Sequence, residues 1–211
     1  MNLIARKSAL RKTASERRAA LTSARRAAAS ETLAERFLAA VPVNAGAVVS
    51  GYWPVGDELD PRPLMNRLHA TGHPLLLPIV RGRGRPLLFR RWNLGDTLVR
   101  GELGISIPSA TAAEDVPELL IVPLVAYDRA GYRLGQGAGY YDLTIAALRA
   151  SGKPVAAGVG FSAQAIEAAP REAHDQRLDW IVTEAEAIEI RAHDDATPER
   201  GDVRDEARDE T

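Results

Sequence analysis

The sequence contains no cysteine. That excludes a disulfide framework, a cysteine nucleophile, and zinc or iron–sulfur sites built on thiolates. It also fits a reducing compartment. No apolar run approaches the ~20 residues of a membrane span. The opening stretch MNLIARKSALRK has no apolar core of signal-peptide length before its charges. A cytoplasmic protein with no membrane partner is expected. An excess charge of either sign is lacking too. The formal net charge is −1 over 211 residues, so the chain as a whole has no general attraction for nucleic acid. No internal repeat is found.

What remains is the composition of a soluble globular chain, 45% hydrophobic and 26% charged. A chain of this size buries roughly 70% of its unfolded surface and needs no disulfide or structural metal to hold together. The charge is unevenly placed. Lys7, Arg11, Arg17, Arg18, Arg25, Arg26 and Arg36 crowd the first 36 residues, and the last twenty are acidic and polar. A single domain over 1–190 is expected. The tail 191–211 has hardly any large apolar residue and is expected to be disordered.

Residues 5–40 read as helix, because alanine is abundant, proline and glycine are absent, and Leu10, Leu21, Leu33 and Phe37 form an apolar stripe. Ser30 or Thr32 is a candidate break between two helices. AVVSGYW (47–53), PLLLPIV (74–80), LLFRRW (87–92), ELLIVPLVAYD (118–128), PVAAGVGFS (154–162) and WIVTE (180–184) read as strands. The run 118–128 is apolar almost throughout, as a central strand covered on both faces requires. Helices are expected over RPLMNRLHATG, which has Pro63 in its first turn and Gly72 past its end, over 141–151, and over AQAIEAA. Residues 93–110 read as a connection. The alternation of strands and helices predicts an α/β fold with a mainly parallel open sheet flanked by helices.

In such sheets ligands bind at the carboxyl ends of the strands. The stretch RLGQGAGYYD (133–142) follows the central strand there and precedes a helix. Alternating glycines let the backbone approach a ligand and aim its N–H groups at one point, and the start of a helix suits phosphate. Arg133 can fork to phosphate oxygens, and Asp142 can hold a divalent cation. The Gly-Lys-Ser/Thr of a P-loop is missing, and G-x-G-x-G is not the dinucleotide spacing. A plain glycine-rich turn, with Asp142 as a helix cap and the tyrosines as packing, remains open on spacing alone.

The same stretch resembles the R-L-G-x-G-x-G-Y-Y-D motif of the 5-formyltetrahydrofolate cyclo-ligase family. KSALR (7–11) is similar to that family's N-terminal K-x-x-L-R. YWPVGDELD (52–60) is similar to its loop after the first strand, and HDQRLDWIVTE (174–184) to its C-terminal motif. The likeness covers roughly residues 5–185. It implies an ATP- and Mg2+-dependent conversion of 5-formyltetrahydrofolate to 5,10-methenyltetrahydrofolate, with ADP and phosphate released, and a three-layer fold like that of sugar-phosphate isomerases. By this resemblance Lys7 and Arg11 reach the triphosphate, Arg11 also the folate. Arg133, Leu134, Gly135, Gln136, Gly137, Ala138, Gly139, Tyr140 and Tyr141 wrap ATP, and 136–140 also meet the folate. Arg133 and Tyr140 are the implied catalytic residues. Val55, Glu58 and Asp60 contact the folate, and Asp142 and Asp175 bind Mg2+. Small-molecule substrates and a monomer are implied. Gln136, Ala138, Pro61 and Ile107 depart from the family pattern.

Each assignment has a simpler counterpart. Lys7 and Arg11, four apart, share one helix face, which also fits a solvated basic face. Tyr52, Trp53 and Trp92 fit either a folate ring or the core. Another phosphate-handling enzyme of the same fold, such as a sugar-phosphate isomerase, is the alternative activity. It needs a general base at the strand ends and no triphosphate site. A nucleic-acid or membrane-surface binder built on the basic helix would need aromatic interleaving or a strongly apolar face, which residues 5–36 lack.

Overall fold

A computed structural model describes residues 2–152 and 154–190, with only the backbone of Leu103. The tail expected over 191–211 lies outside these residues. In chain order the elements are α1 (Leu3–Ala19), α2 (Ser23–Ala40), β1 (Val49–Ser50), α3 (Arg62–Ala70), β2 (Leu75–Ile79), β3 (Leu88–Arg91), β4 (Val99–Arg100), β5 (Ser106–Ile107), β6 (Leu119–Pro123), β7 (Ala126–Tyr127), β8 (Arg133–Leu134), α4 (Tyr140–Ser151), β9 (Val155–Val159), β10 (Trp180–Val182) and β11 (Ala187–Glu189).

Seven strands form one sheet in the order β11-β10-β9-β6-β1-β2-β3. β10, β9, β6, β1 and β2 run parallel, and the edge strands β3 and β11 are antiparallel. β6 is the middle strand, as its unbroken apolar run predicts. Successive side chains point to opposite faces, and here both faces are covered. Leu75, Leu77, Leu119 and Ile121 pack with Leu33, Phe37, Leu64 and Leu68 of α2 and α3. Leu76, Leu120 and Val122 pack on the other side with Ile145 of α4. The sheet is thus the middle of three layers. No helix among the described residues is long and apolar enough to cross a membrane.

Several elements differ from expectation. The first helical segment breaks at 20–22, not at Ser30 or Thr32, because the Thr22 hydroxyl accepts from Arg25 N–H and starts α2. Ser30 is buried inside α2 and donates nothing to a break; its hydroxyl accepts from Asp60 N–H. Residues 93–110 contain the β4–β5 hairpin. The apolar run 118–128 is two strands, with β7 leaving the sheet to pair with β8. AQAIEAA is not a helix. A 3-10 turn at Ser162–Gln164 is followed by extended backbone whose Ile166 N–H bonds the Tyr127 carbonyl, so a long-range bond overrides local helix preference.

The β7–β8 hairpin carries the glycine stretch, and a buried carboxylate shapes it. Asp128 accepts from the N–H groups of Ala130 and Tyr132 at 3.0 Å and from that of Ala169 at 2.8 Å. α1 lies over this hairpin through Ala14, which packs with Ala126 and Leu134. Phe37 is fully buried between α2 and the sheet. Phe37→Ala is expected to cost about 3–5 kcal/mol, read as a lower urea midpoint at unchanged slope.

Candidate active site

A cavity of about 560 Å3 opens at the carboxyl ends of the parallel strands, within the range of small-molecule sites. Residues following β1 (Tyr52, Trp53, Val55, Glu58), β2 (Val80) and β6 (Leu124, Val125) line it. So do Lys7 and Arg11 of α1, all ten residues 133–142, and Glu172, His174 and Asp175. Ile105 and Ile107 from the β4–β5 hairpin add to the apolar lining.

The glycine stretch is shaped as a cradle. Gly137 has φ +102° and Gly139 φ +72°, conformations that L side chains rarely adopt. Gly139 caps α4 without a side chain, so the first N–H groups of α4 have no side-chain acceptor. The helix therefore offers free donors and the positive end of its dipole toward an anion.

Charged groups hold the cradle from outside. The Arg11 guanidinium donates to the Gly135 carbonyl at 2.7 Å. Lys7 Nζ lies 2.8 Å from Asp175 Oδ2 and 2.9 Å from Glu172 Oε2. Burial alone would lower the Lys7 pKa, but the hydrogen bonds that it donates to Asp175 and Glu172 raise it above its ordinary value. Burial likewise works against ionised Asp175, yet Lys7 and the Glu172 N–H hold its carboxyl below the usual range. Arg133 is buried and donates to the Gln176 carbonyl at 2.8 Å and to Asp142 Oδ1 at 2.9 Å. Burial pushes its pKa down, opposed by Asp142. An arginine so lowered remains charged at neutral pH. Burial and then the Glu58 charge raise the Tyr141 phenol, which stays a neutral donor.

The predicted residues do not all converge. Lys7, Arg11, Val55, Glu58, the whole 133–142 stretch and Asp175 meet in the cavity. Asp60 does not line it. Its carboxylate is folded back on Arg62, with contacts from 2.6 to 3.0 Å to the side chain and 2.9 Å to the N–H. Asp60 is thus the start-of-helix partner of α3 rather than a wall residue. Tyr52 is buried, with its hydroxyl donating to the Leu59 carbonyl at 2.6 Å. Trp92 is in the core, edge-on to Trp53 at 5.9 Å, and only Tyr52 and Trp53 of the three aromatics reach the cavity. Sequence reasoning missed Glu172 and Ile105, and it singled out Ile107 only as a departure from the family pattern. Glu172 stands three residues before Asp175, which was the available signal.

The residues present fit Mg2+, which takes carboxylate oxygens. Asp142 receives both of its hydrogen bonds on Oδ1, which leaves Oδ2 without a protein donor among the described residues. Asp175 groups with Glu172 and His174, their ligand atoms within 4.8 Å of one another.

The fold and site define an α/β protein with a cavity at the carboxyl ends of its parallel strands, where a glycine-rich loop and charged side chains meet an apolar lining. Residues 3–184 match the model of the 5-formyltetrahydrofolate cyclo-ligase family, and the chain belongs to that family. It is 31% identical over 179 residues to the 5-formyltetrahydrofolate cyclo-ligase of Escherichia coli K12, covering 82% of this chain and 98% of that one. It is 33% identical over 153 residues to the enzyme of that name from Mycolicibacterium smegmatis, covering 68% and 76%. The NMR structure of Aquifex aeolicus 5,10-methenyltetrahydrofolate synthetase superposes with TM-score 0.73 at 31% identity, covering 94% of this chain and 99% of that one. A Mycoplasma pneumoniae 5,10-methenyltetrahydrofolate synthetase shares the fold, with TM-score 0.66 at 19% identity.

The Lys7–Asp175 pair has a defined pH signature. Asp175, depressed in the folded chain, stabilises the fold above its unfolded pKa of ~3.9 and loses this as pH falls through the folded value. Lys7, raised, contributes below ~10.4 and loses this as pH rises through its folded value. The pair is therefore intact at neutral pH. Asp175→Asn is expected to be less stable than wild type at pH 7. The gap in urea midpoint should close as the pH is taken below that of the unfolded carboxyl.

Proposed function

We propose that this protein catalyses the ATP-dependent conversion of 5-formyltetrahydrofolate to 5,10-methenyltetrahydrofolate, releasing ADP and phosphate. The observation that carries the reading is the convergence of Lys7 and Arg11, the 133–142 stretch and Asp175 on one cavity, beside the apolar lining of Tyr52, Trp53, Val55, Ile105 and Ile107. These groups come from opposite ends of the chain, and a triphosphate and a folate ring system call for both chemistries.

In this reading the formyl oxygen attacks the γ-phosphorus, and the bond to ADP breaks. N10 of the folate then attacks the formyl carbon and loses its proton, and the carbon–oxygen bond breaks to release phosphate. A formamide oxygen is a poor leaving group, and phosphorylation makes it a good one. The protein need only position two ligands and stabilise charge. Lys7, Arg11, Arg133 and the α4 N–H groups face the phosphates. Tyr140 and Glu58 stand where the reacting end of the folate meets them, and Gln136, Gly137 and Ala138 bring backbone close to both ligands.

Charge supports a metal requirement. The cavity lining carries three cations, Lys7, Arg11 and Arg133, against five carboxylates, Glu58, Glu102, Asp142, Glu172 and Asp175. A triphosphate adds further negative charge, so a divalent cation is needed to bring it among these groups. Asp142 and Asp175 are the residues that would hold Mg2+, which would screen the phosphate oxygens.

We infer in addition a three-layer fold of the sugar-phosphate isomerase kind, supported by the helix–sheet–helix layering, and action as a monomer. ATP as co-substrate accords with a cytoplasmic setting.

The purified protein is expected to generate a methenyl product from 5-formyltetrahydrofolate, seen as new near-UV absorbance, only with ATP and Mg2+ together. No change alongside an active control enzyme overturns the reading. Arg133→Ala and Asp142→Asn are each expected to lower the rate at least about tenfold with the circular dichroism spectrum retained. Full activity in both would mean that the triphosphate lies elsewhere.

A further inference from the structure

Arg18 is 7% exposed and lies outside the cavity lining. Positions 7, 11, 14 and 18 fall on one face of α1, and each meets a different part of the site region. Lys7 reaches Asp175 and Glu172, and Arg11 reaches the Gly135 carbonyl. Ala14 packs on the β7–β8 hairpin. Arg18 Nη2 lies 2.6 Å from Asp57 Oδ1 in the loop after β1.

The pair is costly to keep. Arg18 Nε and Nη1 are buried with no hydrogen-bond partner, and a buried guanidinium with unsatisfied donors is penalised by lost hydration. A methionine or leucine would fill the space at equal or better stability. What an apolar side chain could not do is fix a carboxylate of the loop at one point. Asp57 is that point. It follows Gly56, whose φ of +62° turns the chain. It precedes Glu58, which accepts from Val55 N–H at 3.0 Å and from Gln136 Nε2 of the glycine stretch at 3.4 Å. Two adjacent acidic residues therefore tie the loop in two directions, Asp57 to α1 and Glu58 to the cradle.

We propose that Arg18 is a positioning residue: through Asp57 it seats the folate-facing loop on the same helix that presents Lys7 and Arg11, so that Glu58 and Val55 stand in register with the triphosphate. This rests on the cyclo-ligase reading of the site. Arg18 touches neither substrate. Its effect passes through the loop and falls on the folate, not on ATP.

The test compares wild type, Asp57→Asn, Asp57→Glu and the double variant Arg18→Met/Asp57→Asn. KM is measured separately for 5-formyltetrahydrofolate and for ATP, with melting temperature in parallel. Asp57→Asn leaves Arg18 buried and unpaired and is expected to raise the folate KM at least about tenfold, with the ATP KM within about twofold. Asp57→Glu keeps the charge and is expected to recover most of the folate KM. The double variant removes both charges. Its melting temperature is expected to return toward wild type while its folate KM stays raised, which a merely structural pair would not produce. A wild-type folate KM in the double variant, or an equal rise in both KM values, overturns the proposal. A wild type that does not turn over 5-formyltetrahydrofolate with ATP and Mg2+ overturns the underlying activity instead, so the two failures are distinguishable.

Discussion

The ion pair between Lys7 and Asp175 joins residues 168 apart in the chain at 2.8 Å. It closes the first helix onto the loop between β9 and β10, and the geometry of the cavity depends on it. α1 belongs to neither layer over the central sheet. It packs on the β7–β8 hairpin through Ala14 and Leu10. Charged side chains fix its position further. Lys7 is 8% exposed, and a buried ammonium needs its carboxylates as much as they need it. Polar anchoring of this kind is directional where apolar packing is not. α1 can thus be set at one angle over a site that it half encloses.

The sheet supplies the other constraint. Its five parallel strands are covered on both faces, so their carboxyl ends are where the chain can diverge into irregular backbone facing a cavity. The loop after β1, the β7–β8 excursion after β6 and the region following β2 all leave from that edge. The excursion is the decisive one. β6 ends at Pro123, and the chain leaves the sheet for a two-stranded hairpin. Buried Asp128 satisfies three N–H groups there. The chain returns as α4 only after Gly139. The cradle thus hangs between a rigid strand and a rigid helix, although it has few side chains to pack.

Much of this was legible in the sequence, for identifiable reasons. β6 declared itself by an apolar run without alternation, α3 by Pro63 and Gly72, and α4 by Gly152 past its end. The glycine stretch could be placed because it follows a central strand. What failed to show was long-range. AQAIEAA has helical composition, yet Ile166 N–H goes to Tyr127. The β4–β5 hairpin has strands too short to carry alternation. The resemblance puts Asp60 with Glu58 among the folate contacts, but Arg62, two residues on, pairs with it. Arg17 and Arg18 are indistinguishable neighbours in a basic run. Only the fold separates the exposed one from the one buried against Asp57. A local pattern reports which residues can do a chemistry. Which of them face a given point is decided by contacts many residues apart.

The chemistry proposed for this site needs no protein nucleophile, and that shifts the demand onto geometry. Phosphoryl transfer to a formyl oxygen requires two large ligands held in line within one cavity. A glycine cradle is suited to close approach because it lacks side chains, and for the same reason it cannot order itself. Order must come from outside, and here it comes from α1. Arg11 holds the Gly135 carbonyl, Lys7 holds the Asp175 loop, and Arg18 holds the loop before Glu58. A crowded basic helix, read alone, suggests a solvated face. In the fold, four of its positions form a rail along which the cradle, the hairpin and the two loops are aligned. In the proposed reading the cationic character of α1 serves alignment as well as attraction for phosphate. In that reading, alignment is what Arg18, the cation farthest along this rail from Lys7 and Arg11, contributes at the expense of two unsatisfied nitrogens.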